Sequence, residues 1–97
     1  MSVSSESRKG DRIYVIEGFI SNVVTDDDGE LDLTRSDELA IGDTVVYLDW
    51  SLDTVGDNLE IFIHYVDNKG QELKARENYF VIEDVWNNLR TYFTNLN

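Results

Sequence analysis

The chain has no cysteine, no proline, a single histidine, and only eight lysines and arginines among its 97 residues. Without cysteine there is neither a disulfide framework nor a thiolate metal site. Average usage of about 5% would supply roughly five prolines. Their absence excludes polyproline recognition segments and leaves the turns to Asp, Asn and Gly. No Asn-x-Ser/Thr acceptor occurs. The opening "MSVSSESRKG" has basic residues with no apolar stretch behind them, so no signal peptide is expected. No apolar run approaches the roughly 20 residues of a membrane helix. A soluble, cytoplasmic protein is expected on these grounds.

Cations are scarce and acids are not. The formal net charge is −12, and it is unevenly placed. Residues 1–12 carry two acids and three bases, residues 13–68 carry fourteen acids and one base, and residues 69–97 carry four of each. The whole excess therefore lies in the middle of the chain. It is densest in "TDDDGELDLTRSDE" (25–38), which sets seven carboxylates against Arg35. Phosphate neutralisation needs Lys and Arg, so direct binding to nucleic acid or an anionic membrane is not expected.

Residues 1–11 are polar and aperiodic, and read as a flexible tail. Residues 12–97 read as one domain. "RIYVIEGFISNVV" (12–24) is β-branched and aromatic, which predicts a strand, with Gly18 marking a bulge or a close backbone approach. "DDDG" then leads to "ELDLT", where Leu31 and Leu33 alternate with polar residues, a hairpin signal. "RSDELAIGD" reads as a connector with room for one helical turn begun by Ser36 or Asp37. "TVVYLDWSL" (44–52) and "NLEIFIHYV" (58–66) are the strongest strands, and "DNKG" turns into a last one, "QELKA". In the final quarter Ile82, Val85, Trp86, Leu89, Tyr92, Phe93 and Leu96 recur at spacings of three and four, one face of a helix.

The expected fold is α+β: a small antiparallel sheet of about five strands, a barrel- or sandwich-like meander, packed by one C-terminal helix. Val46, Leu48, Trp50 and Leu52 fall on one face of 44–52, and Val45 and Tyr47 on the other. Sheets covered on one side alternate more cleanly. One helix covers one face, so the first hairpin must curl over the other, or a second copy must cover it.

No catalytic or metal residue is expected. Gly29 at the sixth position of a calcium loop would place Val24 at the first and Arg35 at the twelfth, where carboxylates are required. His64 lies on a strand beside Phe62, expected to face Tyr47 or Val46, with no nucleophile elbow in the sequence. No glycine-rich phosphate loop occurs, and no cofactor is expected. Trp50 and Trp86 read as core, Trp50 less firmly because Asp49, Ser51 and Asp53 surround it.

"GDTVVYLDWSL" followed by "LEIFIHYVDNKGQ" resembles a strand pair in bacterial β-sandwich modules attached to polysaccharide-handling proteins. There a Gly-Asp leads a strand ending in Trp, and the next strand reads Phe-x-His-x-x-Asp before a Gly turn. The resemblance spans residues 42–71 and implies a sandwich-like strand pair. Past Gln71 the chain departs from that pattern and ends in a helix.

The remaining signal is charge. An acidic run is ordinarily a solvated face, yet these acids fall in turns and strand ends, where a partner would meet them. Fields of this size steer basic partners. The expected function is that of a non-enzymatic acidic protein that blocks a basic partner, a nuclease or other nucleic-acid-binding protein, by imitating nucleic acid. Inhibitors of the anti-defence and immunity-protein type share that surface. The expected contacts are Asp26, Asp27, Asp28, Glu30 and Asp32, then Asp37, Glu38 and Asp53. The alternatives are a small β-sandwich ligand-binding or accessory module with its site near Trp50, and a structural homo-oligomer.

Overall fold

The structure is a computed structural model that describes residues 2–24 and 31–95, with side-chain environments given for 2–19 and 37–91. The α+β fold is present: an antiparallel sheet with a C-terminal helix packed on it. The described strands are β1 (Arg12–Val15), β2 (Phe19–Val24), β3 (Leu31–Leu39), β4 (Thr44–Val55), β5 (Asn58–Val66), β6 (Glu72–Arg76) and β7 (Phe80–Ile82). Two short helices of the chain's ends are α1 (Val3–Glu6) and α2 (Glu83–Asn95). The strands outnumber the five expected for two reasons. The first expected strand is interrupted between Val15 and Phe19, and Phe80–Ile82 adds a short strand before α2.

The spatial order is β3-β2-β6-β5-β4-β1-β7. Only β4, β5 and β6 form a simple meander. Four inter-strand gaps therefore separate β1 from β2, about 19 Å across a flat sheet. The chain from Val15 to Phe19 spans at most about 14 Å. A flat sheet cannot satisfy both distances, so the sheet curls. The rings report the same closure, for Phe19 on β2 lies 5.5 Å from Phe80 on β7 and 6.5 Å from the central Tyr65. Gly18 sits at the bend, where a Cβ would come within 3.3 Å of the Leu39 carbonyl oxygen. The close approach read from Gly18 is thus present.

Inside the curl lie Ile13, Val15, Val45, Tyr47, Ile63, Tyr65, Leu73, Ala75 and Phe80. Val3 joins them at 1% exposure. The N-terminal residues expected as a tail are docked at this point: Ser2 caps α1 through the Ser5 N–H, and the Ser4 N–H donates to Glu77 Oε2 at 2.7 Å. Burying one valine stabilises by roughly 1.5–3 kcal/mol, enough to favour docking of a short polar segment. Further along, the Gly10 N–H donates to the Tyr47 carbonyl and the Tyr47 N–H to that of Asp11, both at 2.8 Å. On the outer face the Trp86 ring of α2 stacks on Tyr14 at 5.4 Å.

The segment expected as a connector is largely strand. Ser36, Asp37, Glu38 and Leu39 pair with Asn22, Ser21, Ile20 and Phe19, so no helical turn starts at Ser36 or Asp37. Pairing to β2 satisfies backbone groups that a connector would leave to water.

Candidate functional site

The site begins at a bulge. The β4–β5 register shifts between Tyr47 and Asp49. Before it, Val45 and Tyr47 face the core and Val46 faces out. After it, Trp50 and Leu52 stand opposite Ile63 and Ile61 and so share the core-side face with them. One extra residue inverts the alternation of everything that follows. The expected continuous face Val46–Leu48–Trp50–Leu52 is thereby corrected: Trp50 and Leu52 lie on the face of Val45 and Tyr47.

Beyond the bulge the hairpin leaves its neighbours. β1 pairs with β4 only at Thr44, Val45 and Val46, and the β5–β6 pairing ends at Phe62 opposite Arg76. Residues 52–61 continue as two strands alone among the described residues, while 49–51 keep β5 and β6 on one side and have no described strand on the other. Their core-side face therefore has little to pack on, and Trp50, Leu52 and Leu59 are 44%, 54% and 65% exposed. Trp50, expected as core, is therefore largely exposed. The segment carries Asp49, Asp53, Asp57 and Glu60 and no lysine or arginine.

Two of these acids close the open edge of β4. The Trp50 N–H donates to Asp49 Oδ1, and the Thr54 N–H to Asp53 Oδ1, each at 2.8 Å. These N–H groups turn away from β5, toward the side where an added strand would pair. A carboxylate on each removes the donors such a strand would use.

The outer face of β4, β5 and β6 holds a polar mosaic around Phe62. Lys74 Nζ lies 5.2 Å from the Phe62 ring centre and 3.2 Å from Asp53 Oδ2. Arg76 reaches Glu60 at 3.0 Å. Ser51 Oγ and His64 Nε2 are 2.8 Å apart. Burial, and then the nearby Lys74 charge, push the His64 imidazole below its ordinary value. The bulge places Asp49 opposite His64, in place of the expected Tyr47 or Val46. The Ser51 contact also depends on that shift and is invisible in the residue pattern.

The expected contact residues fare differently. Asp26, Asp27, Asp28 and Glu30 lie outside the described residues. Asp32 is on β3 opposite Val23. Glu38 is exposed at the rim of an open depression of about 860 Å³, lined also by Phe19, Leu39, Ile41 and Tyr79. Trp50 does not line it. Asp53 is tied to Lys74. Asp37 is mostly covered, 3.6 Å from Lys69 Nζ and within hydrogen-bond reach of Asp67.

Asp67 is the one buried charged residue among those described, at 7% exposure. Its Oδ1 accepts the Lys69 and Gln71 N–H groups at 2.9 and 2.8 Å, shaping the "DNKG" turn. The hydrogen bond to Asp67, followed by burial, raises Asp37 above the usual carboxylate range. For Asp67 burial acts upward, but the bonds from Asp37 and the two N–H groups outweigh it and hold Asp67 low. The pair is thus shifted in opposite directions, Asp37 upward and Asp67 downward.

Among the described residues no three His, Asp or Glu side chains gather as a metal-binding group, and no helix is long and apolar enough to cross a membrane. No protein-family model, curated protein or solved structure matches the chain.

Proposed function

We propose that the chain is a non-enzymatic acidic protein that binds and blocks a basic, nucleic-acid-binding protein partner by presenting carboxylates in place of phosphates. One observation carries this reading: the tip of the β4–β5 hairpin is projected with acids and without a base of its own. Residues 52–61 extend past the neighbouring strands with Asp53, Asp57 and Glu60 and no base, and Asp49 lies just before them. Lys74 and Arg76 are engaged by Asp53 and Glu60 of this hairpin, and Lys69 by Asp37. A basic partner therefore meets Asp49 and Asp57 directly and competes with Lys74 and Arg76 for Asp53 and Glu60, at rates that fall steeply with salt.

The first contact group is Asp26, Asp27, Asp28, Glu30 and Asp32, followed by Asp37, Glu38 and Asp53. Of the second group, Glu38 is freely presented, whereas Asp37 and Asp53 contribute through charge while paired internally. The test is replacement of the five acids of the first group by Asn or Gln. Captured basic proteins should then be released at lower salt than from the parent chain, with a flatter salt dependence. Unchanged retention across salt steps would remove these five from the contact surface.

A second reading, a small ligand-binding module, is favoured by the depression beside Phe19, Leu39 and Tyr79. Saturable binding of a sugar or nucleotide that shifts the resonances of those residues would support it over a blocking role.

A further inference from the structure

We infer that the β4–β5 hairpin, residues 48–61, is the element that enters the partner, anchored by Trp50, Leu52 and Leu59. This rests on the blocking function proposed above and adds what holds the complex together. The partner it fits is a protein cleft with Lys and Arg at its rim and an apolar floor.

The combination of groups selects that occupant. Trp50, Leu52 and Leu59 form an exposed apolar face at 44%, 54% and 65% exposure. Exposed apolar surface of this kind marks an interaction site. A tryptophan flanked by aliphatic side chains is the usual energetic centre of an interface, with charged groups at its rim. Here the hairpin's own rim residues are acidic, Asp49, Asp53, Asp57 and Glu60, with Lys74 and Arg76 of β6 reaching Asp53 and Glu60.

A second copy of the chain fits poorly. It would bring another net charge of −12 and four more acids against these. Like charges set opposite one another cost affinity. Edge-to-edge pairing is also obstructed, because Asp49 and Asp53 already occupy the Trp50 and Thr54 N–H groups. Charge complementarity therefore points to a basic protein, docked on the hairpin's face rather than added as a further strand.

The test uses the full chain carrying Trp86→Phe, which leaves Trp50 as its only tryptophan, and two synthetic peptides of equal length and charge. One alternates Lys with Leu and the other alternates Lys with Ser. At low salt both should bind, the Lys–Leu peptide more tightly and with a blue shift of Trp50 emission. Trp50→Ala should weaken the Lys–Leu peptide about tenfold, read by calorimetry, and erase its advantage over Lys–Ser. Leu59→Ser, at a site already exposed, should act in the same direction and guards against a folding defect in the first variant. Equal affinities with unmoved Trp50 emission would overturn the anchor and leave the acidic reading in place. Binding of neither peptide would overturn both.

Discussion

Phe19 and Phe80 come from strands on opposite sides of the seven-stranded order, yet their rings meet at 5.5 Å, nearly edge to face. This contact is where the curl closes. Tyr79 stacks on the same Phe19 ring at 4.5 Å, and Tyr65 packs against Phe80 at 5.2 Å. Phe80 is 4% exposed, so Phe80→Ala should cost about 3–5 kcal/mol, a large share of a small domain's stability. Phe19 is only partly buried, and Phe19→Ala should cost less. Urea unfolding of both variants checks the order. Equal, small losses would mean that the ends of the sheet do not depend on one another.

The Asp37–Asp67 pair makes stability depend on acidity in a defined way. Asp37, raised in the fold, contributes most while protonated and loses that contribution as pH rises through its folded value. Asp67, lowered in the fold, contributes above its ordinary value and loses that contribution as pH falls through its folded value. We predict that Asp37→Asn, whose amide still donates to Asp67, is more stable than the parent near neutrality. The difference should shrink in acid, where Asp37 regains its proton. Urea midpoints across the acidic range would show it, and a gap that does not vary with pH would contradict the upward shift of Asp37.

His64 acts in the opposite sense to Asp37. Because it is lowered from 6.5, the folded chain resists its protonation, and stability should fall as pH drops below that value. His64→Asn should flatten this part of the curve. An NMR titration of the single imidazole provides the direct check, and a midpoint above 6.5 would refute the assignment.

Edge protection by Asp49 and Asp53 separates into charge and hydrogen bonding. The double replacement by Ala frees the Trp50 and Thr54 N–H groups, and we predict self-association detectable by light scattering. The double replacement by Asn removes the same charge but keeps an oxygen acceptor on each N–H, and should remain monomeric. Association of both variants alike would assign the protection to charge alone.

The parts of the fold that were legible in the sequence are those with strong local pattern. The β-branched runs of β4 and β5, the Asp-Asn-Lys-Gly turn at 67–70 and the helical period after Glu83 each appear where their residues place them. The bulge at Leu48 was not legible, because alternation of apolar residues on both faces conceals an added residue. With it went the orientation of Trp50 and the Ser51–His64 contact. Val3 was missed because one valine among serines carries no period, and its burial depends on β7 and β5 being in place. The strand character of 36–39 was hidden by its polarity, which an outermost strand tolerates. The Asp37–Asp67 pairing joins residues thirty positions apart and has no sequence signal.

The central claim is that acids of this chain occupy a site otherwise meant for nucleic acid. The most direct measurement is competition: proteins from the source cells are captured on the tagged full-length chain at low salt, then washed with excess duplex DNA or RNA. Release of a basic nucleic-acid-binding protein by the duplex, together with loss of its nucleic-acid binding when the chain is added back, is the predicted result. Bound proteins that withstand excess nucleic acid, or none captured at low salt, would contradict it.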